Sequence, residues 1–163
     1  LAGHDALTGV ANRTLFRDRL AEALAIGERD LAVAFCDLDG FKHVNDTYGH
    51  QTGDEVLVAV AERLGSCLRV GDELARIGGD EFTILLRNVG DPQSAHHVAD
   101  RLLAACREPF IAGRRLVNVG ISIGIAMVRP GTGAEHLLSL ADAALYEVKR
   151  AGGHAAQVID PHD

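Results

Sequence analysis

The chain is short of cationic residues, with 16 Lys and Arg against 23 Asp and Glu and a net charge of −7 with His neutral. Aromatic residues make up only 4%. A general nucleic-acid surface calls for a basic stripe, so no nucleic-acid partner is expected, and an anionic small ligand would need local help from metal and a few Lys or Arg side chains. Cysteine is scarce too. Cys36, Cys67 and Cys106 are odd in number, widely spaced and outside any C-x-x-C, which favours reduced core thiols and a cytoplasmic setting over a disulfide framework. The eight His residues show neither H-x-x-x-H nor His/Cys zinc spacing, and neighbouring His96 and His97 diverge on a helix. No apolar run approaches the ~20 residues of a membrane span, and a signal-peptide pattern is missing. No membrane contact by this segment is therefore expected. Repeats, low-complexity tracts and linkers are likewise missing. The chain starts at Leu1 and not Met, so the expectation is a single domain, 1–163, excised from a longer multidomain protein that carries a sensor or an anchor.

What is present is globular composition: 47% hydrophobic and 24% charged residues over 163 positions suit one domain with one core. Apolar residues at helical spacing predict helices over 14–26 (Leu15, Phe16, Leu20, Leu24), 54–68 (Val56, Leu57, Val60, Ala61, Leu64), 92–106 (Val98, Leu102, Leu103) and 135–150. Gly49 to Gly53 reads as a break before the second of these, with Asp54 at its N-cap or first turn. Apolar runs predict strands over 31–37, on both sides of Gly78-Gly79, over 110–112 with 116–128 as a hairpin about Gly113-Arg114, and an edge strand over 157–159. A short helix follows Gly40 and runs to Asn45, and backbone N–H groups at its start, with Lys42 nearby, form a ready anion site. Strands and helices that do not strictly alternate indicate an α+β fold with a central sheet covered by helices.

The most informative stretch is 75–86, A-R-I-G-G-D-E-F-T-I-L-L. A Gly-Gly pair between apolar runs signals a tight hairpin, so Asp80 and Glu81 should leave the turn on opposite faces of a strand buried beyond them. Carboxylates at the rim of a dry sheet are costly unless something cationic sits there. A second acidic group, Asp37-Leu38-Asp39, ends the strand over 31–37; antiparallel pairing of the two elements would bring Asp37 to Asp80. Carboxylates without His or Cys partners suit a hard divalent cation, Mg²⁺ or Mn²⁺.

Five segments together resemble the GGDEF domains, which are diguanylate cyclases: D-A-L-T-G-V-A-N-R from Asp5, D-L-D-G-F-K-H-V-N-D-T-Y-G-H-Q-T-G-D from Asp37, R-I-G-G-D-E-F from Arg76, S-I-G-I-A from Ser122 and A-D-A-A-L-Y-E-V-K from Ala141. The resemblance covers nearly the whole chain and implies a central mixed, largely antiparallel sheet surrounded by helices, similar to the palm of nucleotidyl cyclases and polymerases. It also implies that two GTP condense to cyclic di-GMP and two pyrophosphates in a homodimer under an upstream sensor. In that reading Asp37, the Leu38 carbonyl and Asp80 hold metal, while Glu81 supports the metal or takes the proton of the attacking 3′-hydroxyl. Lys42 and Lys149 match triphosphate-binding positions. Asn45 and Asp54 match guanine-binding positions, although each could equally be a helix cap. Gly78 and Gly79 shape the substrate turn. Arg69 and Asp72, an R-x-x-D six positions ahead of Gly78, match the site at which the product inhibits; the plain alternative is a surface ion pair. The Asp5 segment is expected as a turn that joins the domain to an upstream helix. One departure stands out, since four residues after Lys149 the family usually has an Arg where this chain has Gly153. That departure motivates an alternative, a catalytically weak module that binds GTP or cyclic di-GMP.

Overall fold

A computed structural model describes residues 2–161; Leu1, His162 and Asp163, part of the expected domain 1–163, lie outside the described residues. The chain runs α1 (Arg13–Ala25), β1 (Ala32–Asp39), α2 (Phe41–Tyr48), α3 (His50–Ser66), β2 (Glu73–Gly78), β3 (Glu81–Leu86), α4 (Pro92–Arg107), β4 (Phe110–Ala112), β5 (Arg115–Val117), β6 (Gly120–Met127), α5 (Ala134–Arg150) and β7 (Ala156–Ile159). Five strands form one sheet in the order β2-β3-β1-β6-β7. Its first three pairings are antiparallel and the last, β6 with β7, is parallel. The α+β expectation with a mixed, largely antiparallel sheet is therefore met.

The central strand β1 is apolar on both faces because helices cover both. Alternation sends Ala32, Ala34, Cys36 and Leu38 into the larger core with Val56, Val60 and Leu64 of α3 and Val98 and Leu102 of α4. Val33 packs on the other side with Phe16 and Leu20 of α1 and Leu138 of α5. The same alternation puts Asp37 and Asp39 on the α1/α5 face at the strand's end. α5 lies close against β6, where a Cβ on Gly124 would come within 2.4 Å of both the Ala141 carbonyl oxygen and the Leu145 nitrogen. The glycine of S-I-G-I-A is thus the gap that lets a helix touch a sheet.

Helix ends follow local chemistry. The Asn12 side chain accepts the Leu15 N–H at 3.0 Å to open α1, and Asp91 accepts from Ser94 at 2.7 Å ahead of Pro92 to open α4. Three expectations need correction. The helix expected from Asp54 begins at His50 behind Gly49, so Asp54 is no cap, and Asn45 lies inside α2, which runs on to Tyr48. Gly53 does not break α3; it sits inside it because a Cβ there would lie 1.8 Å from Asn45 Oδ1, and the close α2–α3 approach outweighs a helical glycine's cost of ~1 kcal/mol. The long arm expected over 116–128 is interrupted: β4 and β5 form a separate two-stranded ribbon, and β6 starts at Gly120.

Candidate active site at the end of the central strand

β1 delivers its two carboxylates where three other elements end. In the register of β1 with β3, Asp37 faces Glu81, and directly opposed residues of an antiparallel pair share a face. Gly78 pairs with Glu81, so the two turn residues are Gly79 and Asp80, and the register shifts between Arg76 and Gly78. The turn therefore lies one residue later than Gly78-Gly79. Asp80 does not leave on the outgoing strand but sits in the turn, with its carbonyl accepting the Leu38 N–H at 3.3 Å. Gly79 takes φ +51°, and Gly78 φ +154°, backbone that few other residues adopt at low cost.

Asp37 is the electrostatic centre of this group. Its Oδ1 is buried without a hydrogen-bond partner. Burial, then the charge of Asp80, raises its pKa to about 7 against the pull of Lys149. A buried, unpaired carboxylate oxygen beside a second carboxylate and the Leu38 carbonyl fits a divalent cation. The set is open: among the described residues no three Asp, Glu, His or Cys groups converge as a cage. Mg²⁺ is suited to such a set, since it is commonly held by one or two carboxylates together with substrate phosphates.

Lys149, from the last turn of α5, reaches across the strand end, with Nζ 3.0 Å from Asp39 Oδ1, 3.5 Å from Asp37 Oδ2 and 3.4 Å from the Leu38 carbonyl oxygen. Burial works against its charge, but the two carboxylates outweigh it and hold its pKa above the ordinary value. Asp39 was not singled out from the sequence. The available signal was its spacing, two residues after Asp37 in a strand, which puts both on one face.

The remaining candidates fall into two groups. Lys42 points into solvent, 92% exposed, with Asp46 at 3.8 Å; the structure does not bring it to the carboxylates. The Asn45 side chain lies against Gly53, the neighbour of Asp54 in α3, because that glycine leaves it room. Asp54 also lines an open hollow of about 320 Å³ with Leu7, Gln51, Glu55, Val58 and Gly113, which brings Leu7 of the Asp5 segment beside it. Asp5 itself holds the opening turn by accepting from Thr8 N and Oγ1 at 2.9 and 2.7 Å, and it pairs with Arg76 at 3.0 Å. Arg76 in turn donates to the Gly79 carbonyl at 2.9 Å, pinning the catalytic turn to the chain's start.

Arg69 and Asp72 lie at the far end of β2, roughly 20 Å along the strand from the turn. Asp72 is not ion-paired to the Arg69 side chain. Its Oδ2 accepts the Arg69 backbone N–H and its Oδ1 the Arg87 N–H, both at 2.9 Å, which leaves the guanidinium of Arg69 outside the contacts that shape the loop.

The family model described as "Diguanylate cyclase, GGDEF domain" matches residues 2–155. The chain is 45% identical over 157 residues to the bifunctional diguanylate cyclase/cyclic di-GMP phosphodiesterase MucR of Pseudomonas aeruginosa, a match that covers 93% of this chain and 23% of that protein. A solved structure of TpbB (also YfiN) from P. aeruginosa comprising only the GGDEF domain has a TM-score of 0.88 at 38% identity, covering 95% of this chain and 93% of that one. The GGDEF domain of DgcB from Caulobacter crescentus, in complex with c-di-GMP, has a TM-score of 0.87 at 32% identity, covering 97% and 93%. With the family model matched along nearly its full length and the fold shared with solved GGDEF domains, the chain belongs to the GGDEF domain family described as diguanylate cyclases.

Proposed function

We propose that this domain is a diguanylate cyclase that condenses two GTP to cyclic di-GMP and two pyrophosphates, each of two facing domains holding one nucleotide. The observation that carries the reading is the buried, unpaired Oδ1 of Asp37, a carboxylate beside Asp80 whose other oxygen lies 3.5 Å from Lys149. Asp37, Asp80 and the Leu38 carbonyl would hold the cation, Mg²⁺ or Mn²⁺. When bound there, the cation neutralises charge on the α-phosphate and departing pyrophosphate and eases loss of the 3′-hydroxyl proton. The chain's own residues do the positioning. Asn45 and Asp54 take the guanine, whose adjacent N1–H and N2–H₂ donors match a carboxylate. Lys149, with Lys42 swinging in from solvent, faces the triphosphate. The 3′-oxygen of one nucleotide forms a bond to the α-phosphorus of the other as the bond to pyrophosphate breaks, and the same exchange closes the ring. Glu81, opposite Asp37 on the same face, either supports the cation or accepts the proton.

Because one domain supplies one nucleotide, the active form is a homodimer, and an upstream sensor would set how often two domains meet. Among the described residues no helix is long and apolar enough to cross a membrane; a cytoplasmic site of action, with any anchor elsewhere in the protein, suits the nucleotide substrate. Arg69 and Asp72 are proposed as the product's inhibitory site. GTP with Mg²⁺ should yield cyclic di-GMP, with specific activity rising with protein concentration, and Asp80→Ala should yield none. Wild-type protein that makes no product at any concentration would refute the reading. A second reading, a non-catalytic binding module, is favoured by Gly153 standing where the family usually has Arg; GTP binding in calorimetry without turnover in a stable dimer would select it.

A further inference from the structure

Asp39 receives more donors than any other acid at the strand end, and they come from three elements. Its Oδ1 accepts from Ser122 Oγ of β6 at 2.7 Å and pairs with Lys149 Nζ of α5 at 3.0 Å; its Oδ2 accepts the His154 backbone N–H at 2.8 Å. Ser122 is fully buried, so this carboxylate is fixed from beneath. Two glycines make room for it. A Cβ on Gly120 would lie 3.2 Å from Oδ2, and one on Gly153, at φ +80°, would lie 3.0 Å from Cγ and both oxygens. His154 closes the ring, its Nδ1 accepting the Ile121 N–H at 3.3 Å. Asp37, by contrast, touches Lys149 only at 3.5 Å and keeps one oxygen unpaired.

We propose that Asp39 is a positioning residue that anchors the Lys149 ammonium independently of Asp37, so that Lys149 stays aimed at the triphosphate when Asp37 is engaged by a cation. This rests on the cyclase reading for the role of Lys149, but the anchoring itself does not. It also changes the meaning of Gly153. The backbone there lies against the Asp39 carboxylate at φ +80°, so an Arg at 153 would be strained and its Cβ, 3.0 Å from the carboxylate, would press on the anchor. Restoring the family's usual residue would therefore loosen Lys149 and not add a phosphate contact.

Asp39→Asn is the informative variant. Its amide oxygen can keep the His154 N–H and its NH₂ can turn to Ser122, leaving Lys149 without a negative partner there. In metal-free protein without nucleotide, the NMR signal of the Lys149 side-chain ammonium should be ordered in wild type and in Asp37→Asn, and averaged by motion in Asp39→Asn. Affinity for a non-hydrolysable GTP analogue should fall about tenfold in Asp39→Asn, while affinity for GMP stays unchanged. Combining it with Lys149→Ala should add nothing further. Gly153→Arg should lower analogue affinity in the same direction, and Ser122→Ala by less, which covers the case of a poorly folded Asp39 variant. A Lys149 ammonium equally ordered with and without the Asp39 charge, additive losses in the double variant, or tighter analogue binding by Gly153→Arg would each overturn the proposal. Failure of wild type to bind the analogue would instead sink the cyclase reading, and the NMR comparison would still decide the anchor.

Discussion

The two ends of the central sheet carry acids that are treated in opposite ways. At the end of β1, Asp37 is partly buried with its Oδ1 enclosed and unpaired, and its pKa is pushed up to about 7, by burial first and then by Asp80. At the other end, Glu73 is paired with Arg19 and with Arg87 at 2.7 Å, and Arg87 also holds Glu28 at 2.6 Å. Burial opposes the charge of Glu73 too, but the hydrogen bonds from Arg87 and Arg19 outweigh it and keep its pKa low. One end uses guanidinium groups at close range to stabilise the fold; the other leaves one oxygen of Asp37 unpaired and gives the second only the 3.5 Å contact with Lys149. An acid that keeps one buried oxygen unpaired and a raised pKa is the better candidate for ligand chemistry.

The contrast breaks first on substitution. Asp37→Asn or Asp80→Asn should lower turnover by about a hundredfold or more, several kcal/mol of lost charge stabilisation. Asp37→Asn should leave the metal-free melting temperature at pH 8 unchanged or higher, since it removes a costly buried charge. A melting temperature that drops sharply with this substitution would mean that Asp37 is a structural acid after all. Arg87→Ala should show the reverse pattern, with turnover within about twofold of wild type and a loss of roughly 1–3 kcal/mol, read as a melting point several degrees lower.

Titration sharpens the same comparison with a smaller effect. Asp37 is held above its unfolded value, so its contribution to metal-free stability is full below the ordinary carboxylate range and is lost as pH rises toward about 7. Glu73 and Asp5 are held below theirs, Asp5 by the Thr8 and Arg76 hydrogen bonds against the cost of burial. Their contribution is present at neutral pH and is lost as pH falls below the ordinary carboxylate range. Urea midpoints in EDTA should therefore decline as pH rises from the ordinary carboxylate range toward about 7 for wild type but not for Asp37→Asn, and decline less below that range for Glu73→Gln. The mildest expected change is at Arg69. Arg69→Ala should relieve inhibition by cyclic di-GMP while altering stability by less than about 0.5 kcal/mol, whereas Asp72→Ala should also destabilise the loop whose N–H groups it accepts. Unaltered inhibition in Arg69→Ala would reduce the pair to a surface loop.

Much of this was legible because apolar periodicity and turn chemistry are local. The strands around Asp37 and Phe82, the helix opened by Asp91-Pro92 and the parallel edge strand β7 all lie where those signals put them. What escaped depends on contacts between elements. Gly53 looks like a breaker until the Asn45 side chain is seen to need its missing Cβ. The turn is one residue later than Gly-Gly suggests because a register shift after Arg76 is tied to Arg76 itself, which bonds both Asp5 and the Gly79 carbonyl. Asp39 escaped for a similar reason. Its partners lie 83 and 115 positions away on Ser122 and His154, so nothing near it in the chain marks it as an anchor.

The contact of α5 with β6 at Gly124 has a bearing on control. With helix backbone lying directly on strand backbone, there is no layer of side chains between α5 and β6 at that point, and Lys149 at the end of α5 is linked through β6, whose Ser122 pairs with Asp37, to the carboxylates at the end of β1. Such a contact leaves little room for α5 to shift on the sheet at that point. Under the proposed two-domain reaction, the gap and the angle between domains are then the quantities that an input signal would adjust.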